Sequence, residues 1–128
     1  MRLTTKPTEP ILVSLAQEVV QLLSAGEIDK LAHRFGYAVK YDRDTATAIR
    51  DDLRWCLSNL GASSLSSTGS CSVPTVEHFK PNTNNLVAAI SCIAYTNNGA
   101  ELLISLIVTA VGDKYFVTLE DLYAPPAE

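Results

Sequence analysis

The hydrophobic period of this chain changes once, at a serine- and glycine-rich stretch, and that change decides what it can fold into. Before Gly61 the apolar residues recur every three or four positions, which gathers them on one stripe of a helix. After Ser72 they alternate or run on continuously, as in strands. The stretch between, 61–72 (GASSLSSTGSCS), reads as a flexible loop. Helices first and strands after predict an α+β domain with its helices packed on one face of a sheet.

In the helical half, Leu12, Leu15, Ala16, Val19, Val20 and Leu23 predict a first helix over about 9–24. Thr8 is its N-cap candidate, and Pro10 suits a first turn, where the N–H it lacks has no intrahelical partner. Ile28, Leu31, Ala32 and Phe35 predict a short second helix over about 27–35, stopped by Gly36. The link between the two is tight enough for an αα-hairpin. Tyr37, Val39 and Tyr41 alternate with Ala38 and Lys40, a short extended piece. A third helix is expected from an N-cap at Asp42 or Asp44 to Gly61, on the stripe Ala46, Ile49, Leu53, Cys56, Leu57 and Leu60. Residues 1–9 carry no period and are expected to be a mobile tail.

The second half predicts four strands, over about 73–79, 86–95, 100–111 and 115–123. Asn98-Gly99 and Gly112-Asp113 supply turns, and Pro125 and Pro126 end the last strand. Short links make this an antiparallel meander. The expected organisation is one domain over 1–128: tail 1–9, helical half 10–60, loop 61–72 and sheet 73–123. In the third strand Leu102, Ile104, Leu106 and Val108 are uniformly apolar and should face the helices. The other face, with Leu103, Ser105, Ile107 and Thr109 beside Val87, Ala89, Ser91, Ile93 and Tyr95, is half apolar and nearly without charge. A solvated face carries more charge, so a cover is expected: a second subunit, a partner, a ligand, or the chain's own serine-rich loop and N-terminal tail.

The net charge is −4, and its placement is one-sided. Residues 1–60 hold eight acids and eight bases; residues 61–128 hold six acids and only Lys80 and Lys114. Nucleic acid is excluded as a partner, since phosphates call for basic patches; a basic protein partner fits. The longest apolar run, 102–111, is half of what a spanning helix needs, about 20 residues, and a cytoplasmic location is expected. Three cysteines, Cys56, Cys71 and Cys92, form neither an even disulfide framework nor, with only His33 and His78, a zinc spacing. Cys56 and Cys92 read as core residues, and Cys71 as an exposed thiol in the loop.

No nucleophile elbow, phosphate loop, H-E-x-x-H or calcium loop occurs. Cys71 and His78 have no orienting third group nearby, so no catalytic residue, metal ligand or cofactor is expected. Asp42, Asp44, Asp51 and Asp52 read as caps and solvated partners of Arg43, Arg50 and Arg54. Glu120 and Asp121 beside Tyr123 differ, because they end the last strand in the half nearly without bases. With Glu101, Tyr95 and Asp113 they form the candidate surface for a cationic partner.

A helical hairpin, a third helix and a meander ending in Tyr115-Phe-Val-Thr-Leu-Glu-Asp-Leu-Tyr123 resembles the cystatin-like and NTF2-like α+β domains. A small acidic domain of this layout also resembles the immunity proteins of bacterial toxin systems, including contact-dependent growth inhibition. That resemblance implies a non-catalytic protein that binds a cognate toxin domain and occludes it. NTF2-like enzymes place an Asp or a Tyr–Asp pair in the cone between sheet and helices, whereas the inward sheet positions here hold Leu, Ile, Val, Ala and Ser. Two other readings stand beside this one. A small-ligand or isomerase domain would show a deep cavity lined by Tyr37, Tyr41, Trp55 and the strands. A structural homodimer would pair through the half-apolar face.

Overall fold

The computed structural model describes residues 1–125. Strand β1 is Arg2–Leu3; helices α1, α2 and α3 are Glu9–Ser24, Ile28–Phe35 and Thr45–Asn59; strands β2 to β5 are Thr75–His78, Leu86–Tyr95, Glu101–Val111 and Lys114–Tyr123. The fold is α+β, and its antiparallel sheet has the order β1-β5-β4-β3-β2.

Each helix forms where its stripe predicts. Helix α1 buries Leu12, Ala16, Val19, Val20 and Leu23, with Leu22 added. Thr8 is its N-cap, but only through its extended backbone, with no side-chain bond. Asp44, not Asp42, caps α3, accepting from the Thr47 N–H at 3.1 Å. Asp42 is left in the link with φ 66°, next to Tyr41 at φ 47°. Two successive non-glycine residues in left-handed backbone store strain of order 1–2 kcal/mol each.

The sheet has five strands where four were expected. Arg2 and Leu3, within the stretch read as a mobile tail, pair with Phe116 and Tyr115 on the outer edge of β5. A two-residue strand has no period to read, and only the waiting edge makes it pay its ordering entropy. Further along the same edge Tyr37 bridges Leu119, and the Ala38 N–H donates to the Leu119 carbonyl at 2.9 Å. The strand expected over 73–79 is shorter, and Val73 before it is exposed. Strand β5 ends at Tyr123, before Pro125, while Pro126 and Glu128 lie outside the described residues.

The serine-rich stretch runs along the edge of β3 and is hydrogen-bonded to it. Ser66 and Ser72 donate their N–H groups to the Tyr95 and Ile93 carbonyls of β3, and the Ser72 hydroxyl accepts from the Ile93 N–H. Asn97 takes the Ser63 and Ser64 N–H groups on its side-chain oxygen. Leu65 is buried in the core, and Gly69 lies against Gln21 and Ser24 of α1.

One sheet face carries the core: Leu102, Ile104, Leu106 and Val108 are 0% exposed, beneath the helices. Burying each such side chain stabilises the fold by about 1.5–3 kcal/mol. Its reverse carries Ala89 opposite Ile107, Ser91 opposite Ser105, Ile93 opposite Leu103 and Tyr95 opposite Glu101, nearly all half-buried. The N-terminal strand and the serine-rich border extend the sheet at its two edges rather than crossing this face. Tyr95 and Glu101 on it are exposed and the other six half-buried, so it is more open than the fully buried core face.

Candidate functional site

The link between α2 and α3 is short, and one arginine fixes its shape. Arg43 donates from Nε to the Lys40 carbonyl at 2.7 Å and from Nη2 to the Val39 carbonyl at 2.8 Å. The same guanidinium grips Asp52 of α3 through Nη1 to Oδ1 at 2.9 Å and Nη2 to Oδ2 at 3.3 Å. Tyr37, buried below, donates its hydroxyl to Asp52 Oδ2 at 2.6 Å. The link is thereby clamped from both ends, and the clamp holds Tyr41 outward, 77% exposed.

Strand β5 supplies the other wall. Ser105 of β4 is registered with Asp121 but the next residue, Leu106, with Leu119, so Glu120 is the extra residue of a bulge. Bulges re-aim side chains at the rims of sheets. Just past this one, Asp121 and Tyr123 line a surface cleft of about 450 Å³ together with Tyr41, Trp55, Arg43 and Asp52. Val39, Cys56 and Leu122 complete its lining. Trp55 is 65% and Tyr123 47% exposed. Three large aromatic residues are thereby exposed around one hollow, and aromatic residues are enriched in interface cores relative to the rest of a protein surface.

The charges in the cleft are unequal. Burial alone would raise the Asp52 carboxyl, but the hydrogen bonds from Arg43 and Tyr37, with the Arg43 charge, outweigh it and hold Asp52 below the usual carboxylate range. Burial raises the Tyr37 hydroxyl, and its bond to the Asp52 carboxylate raises it further. Asp121 goes the other way: burial raises its carboxyl, the Leu122 N–H opposes, and the Asp52 charge adds to the rise. Asp121 Oδ1 accepts that N–H at 2.8 Å, and no cation pairs with Asp121 among the described residues. Burial pushes the Cys56 thiol up to about 11 and the Cys92 thiol up to about 12, with Asp121 and Asp52 adding to the first and Cys71 to the second. Protonated thiols of this kind are poor nucleophiles at neutral pH.

Of the surface expected from sequence, Asp121 and Tyr123 share the cleft. Tyr95 and Glu101 stand opposite each other where β3 turns into β4, and Tyr123 is registered with Leu103, two residues from Glu101. Tyr123 therefore links the cleft to the uncovered sheet face. Glu120 sits in the bulge and outside the cleft lining. Asp113 lies in the β4–β5 turn, roughly 35 Å along the strand from Glu101, where Lys114 Nζ approaches it at 3.8 Å. The sequence reading of the acidic surface missed Trp55, although its place off the α3 stripe is a readable signal of an exposed indole. The clamp between Arg43 and Asp52 depends on Tyr37 and two carbonyls that no local pattern predicts.

The interior expected to hold a deep cavity is filled by Leu12, Leu31, Ile49, Leu106 and Leu119, all fully buried. Tyr37 lies under the cleft instead of lining a chamber. A second groove of about 430 Å³, on the flank of α3 that carries Arg50 and Arg54, has the opposite charge. Among the described residues no group of three or more His, Cys, Asp or Glu side chains is placed to hold a metal, and no helix is long and apolar enough to cross a membrane. Comparison with protein-family models, with curated proteins and with solved structures gave no match.

Proposed function

We propose that this chain is a non-catalytic protein-binding module that works by occlusion, in the manner of an immunity protein neutralising a basic, nuclease-like toxin domain in the cytoplasm. One observation carries the reading: Tyr41, Trp55 and Tyr123 stand exposed around a cleft whose Asp121 has no cation partner among the described residues, and Tyr123 joins it to the uncovered sheet face. Aromatic anchors at the centre of an interface supply most of its affinity, and unpaired acids steer a basic partner toward it. Occlusion needs no turnover, so this reading requires no catalytic group. Helices packed on one face of an antiparallel sheet support an NTF2-like or cystatin-like layout within this reading.

The cleft volume favours a second reading. At about 450 Å³ it falls within the range of small-ligand sites, about 300–1,000 Å³, so a small ligand held in this surface cleft, and not in an NTF2-like interior cavity, is the alternative. Co-expression with the product of the adjacent gene, followed by size-exclusion chromatography and an assay of that product's activity, tests the first reading. The proposal expects a stoichiometric complex in which the activity is lost. Separate elution with the activity intact overturns it.

A further inference from the structure

The cleft holds more than a greasy rim, and its unused groups specify what enters it. Arg43 already donates to two carbonyls and to both oxygens of Asp52, so it has no fork left for an anion. Asp52 in turn accepts from Arg43 and Tyr37, and its charge is matched. Asp121 is the unmatched group, with Oδ1 engaged by a backbone N–H and Oδ2 without a bond among the described residues. Around it stand the rings of Tyr41, Trp55 and Tyr123, and the only cation stacked on a ring among the described residues is Arg34 on Phe35, elsewhere in the fold.

A hollow with one surplus carboxylate and three exposed electron-rich rings attracts a cation and discriminates against an anion. A planar guanidinium suits it better than an ammonium, because it stacks on rings while its edge donates to a carboxylate. We infer that the cleft is a guanidinium site, and that it receives one arginine side chain of the protein partner, stacked against the rim aromatics and hydrogen-bonded to Asp121. This rests on the protein-binding reading above and gives that reading its point of contact.

Trp55 is the only tryptophan of the chain, so its fluorescence reports this cleft alone. The full chain is titrated with methylguanidinium chloride at ionic strength held constant with sodium chloride, and with sodium acetate as the anionic control. The expected result is a saturable change with guanidinium, at least fivefold weaker in Asp121→Asn and in Tyr123→Leu, and no saturation with acetate. A linear response that is the same in both variants, or saturation by acetate, overturns the inference. A stable complex with the neighbouring gene product but no saturable guanidinium binding overturns this site and leaves the binding reading standing. Saturable guanidinium binding without any complex overturns the protein source of the arginine instead.

Discussion

Tyr37 and Asp52 meet at 2.6 Å beneath the cleft, the phenol donating to the carboxylate that Arg43 holds from the opposite side. The contact joins the α2–α3 link to α3 and sets where Tyr41 stands. It is a bond from a buried hydroxyl to a charged acceptor, a class whose net contribution is about 1.5–3 kcal/mol.

Tyr37→Phe therefore lowers unfolding free energy by about 1.5 kcal/mol, read as a lower urea midpoint at unchanged slope. The same carboxylate sets a pH dependence. Its folded pKa lies below the unfolded value of about 3.9, so its contribution is present above that value and is lost as pH falls through the depressed one. Asp52→Asn destabilises at pH 7, and the difference from the parent chain shrinks below about pH 4, as urea titrations at a series of pH values would record.

Asp121 carries the opposite sign. Its folded pKa is raised, so the stability it contributes is full below about pH 3.9 and is lost as pH rises through the folded value. Asp121→Asn keeps the oxygen that accepts the Leu122 N–H and removes the charge. The variant should match or exceed the parent at pH 7, by less than about 0.5 kcal/mol given solvent screening, with no gain at pH 3. A residue that weakens binding when replaced while leaving the fold as stable or more so marks a functional acid, and thermal melts at the two pH values check the stability half of that statement.

The two faces of β4 should contribute unequally to stability. Ile104→Ala opens a hole in the core and should cost about 2–5 kcal/mol, whereas Ile107→Ala on the uncovered face should cost less than about 1 kcal/mol. Denaturant titration of the pair measures the contrast, and equal losses would mean that the reverse face is packed in the folded monomer.

The thiols should react in order of exposure. Cys71 is half-buried in the border of β3, while Cys56 and Cys92 are buried with raised pKa values. A thiol reagent at pH 8 should label Cys71 in the native protein, and reach the other two only in denaturant. Rapid native labelling of Cys56 would show that the floor of the cleft opens.

What was legible in the sequence was whatever had a period. The stripe from Leu12 to Leu23 placed α1 to the residue, and the run Leu102 to Val108 told the core face of β4 from its reverse. Elements made by a neighbour's demand were not legible. Arg2–Leu3 becomes a strand because the β5 edge waits for it, and the serine-rich stretch is held by the Tyr95 and Ile93 carbonyls of β3, which lie about twenty to thirty residues away. The cleft is of the second kind. Tyr41, Trp55 and Asp121 sit on a loop, a helix and a strand, and only the Arg43 clamp and the bulge at Glu120 bring them together. Asp121 and Tyr123 were found because acids clustered beside an aromatic in a base-poor half; Asp113 was grouped with them on charge alone, which carries no information on which end of a strand it occupies.

The two flanks of α3 offer the most direct test, since Trp55 lines the acidic cleft and its neighbour Arg54 lines the basic groove. The affinity of the protein encoded beside this one is measured for the parent chain, Trp55→Ala and Arg54→Ala. A tryptophan at the centre of an interface is worth at least about 2 kcal/mol, so Trp55→Ala should weaken binding about 30-fold or more while Arg54→Ala changes it by less than about threefold. Unchanged affinity in Trp55→Ala, or a larger loss in Arg54→Ala, would contradict the assignment of the cleft as the binding surface.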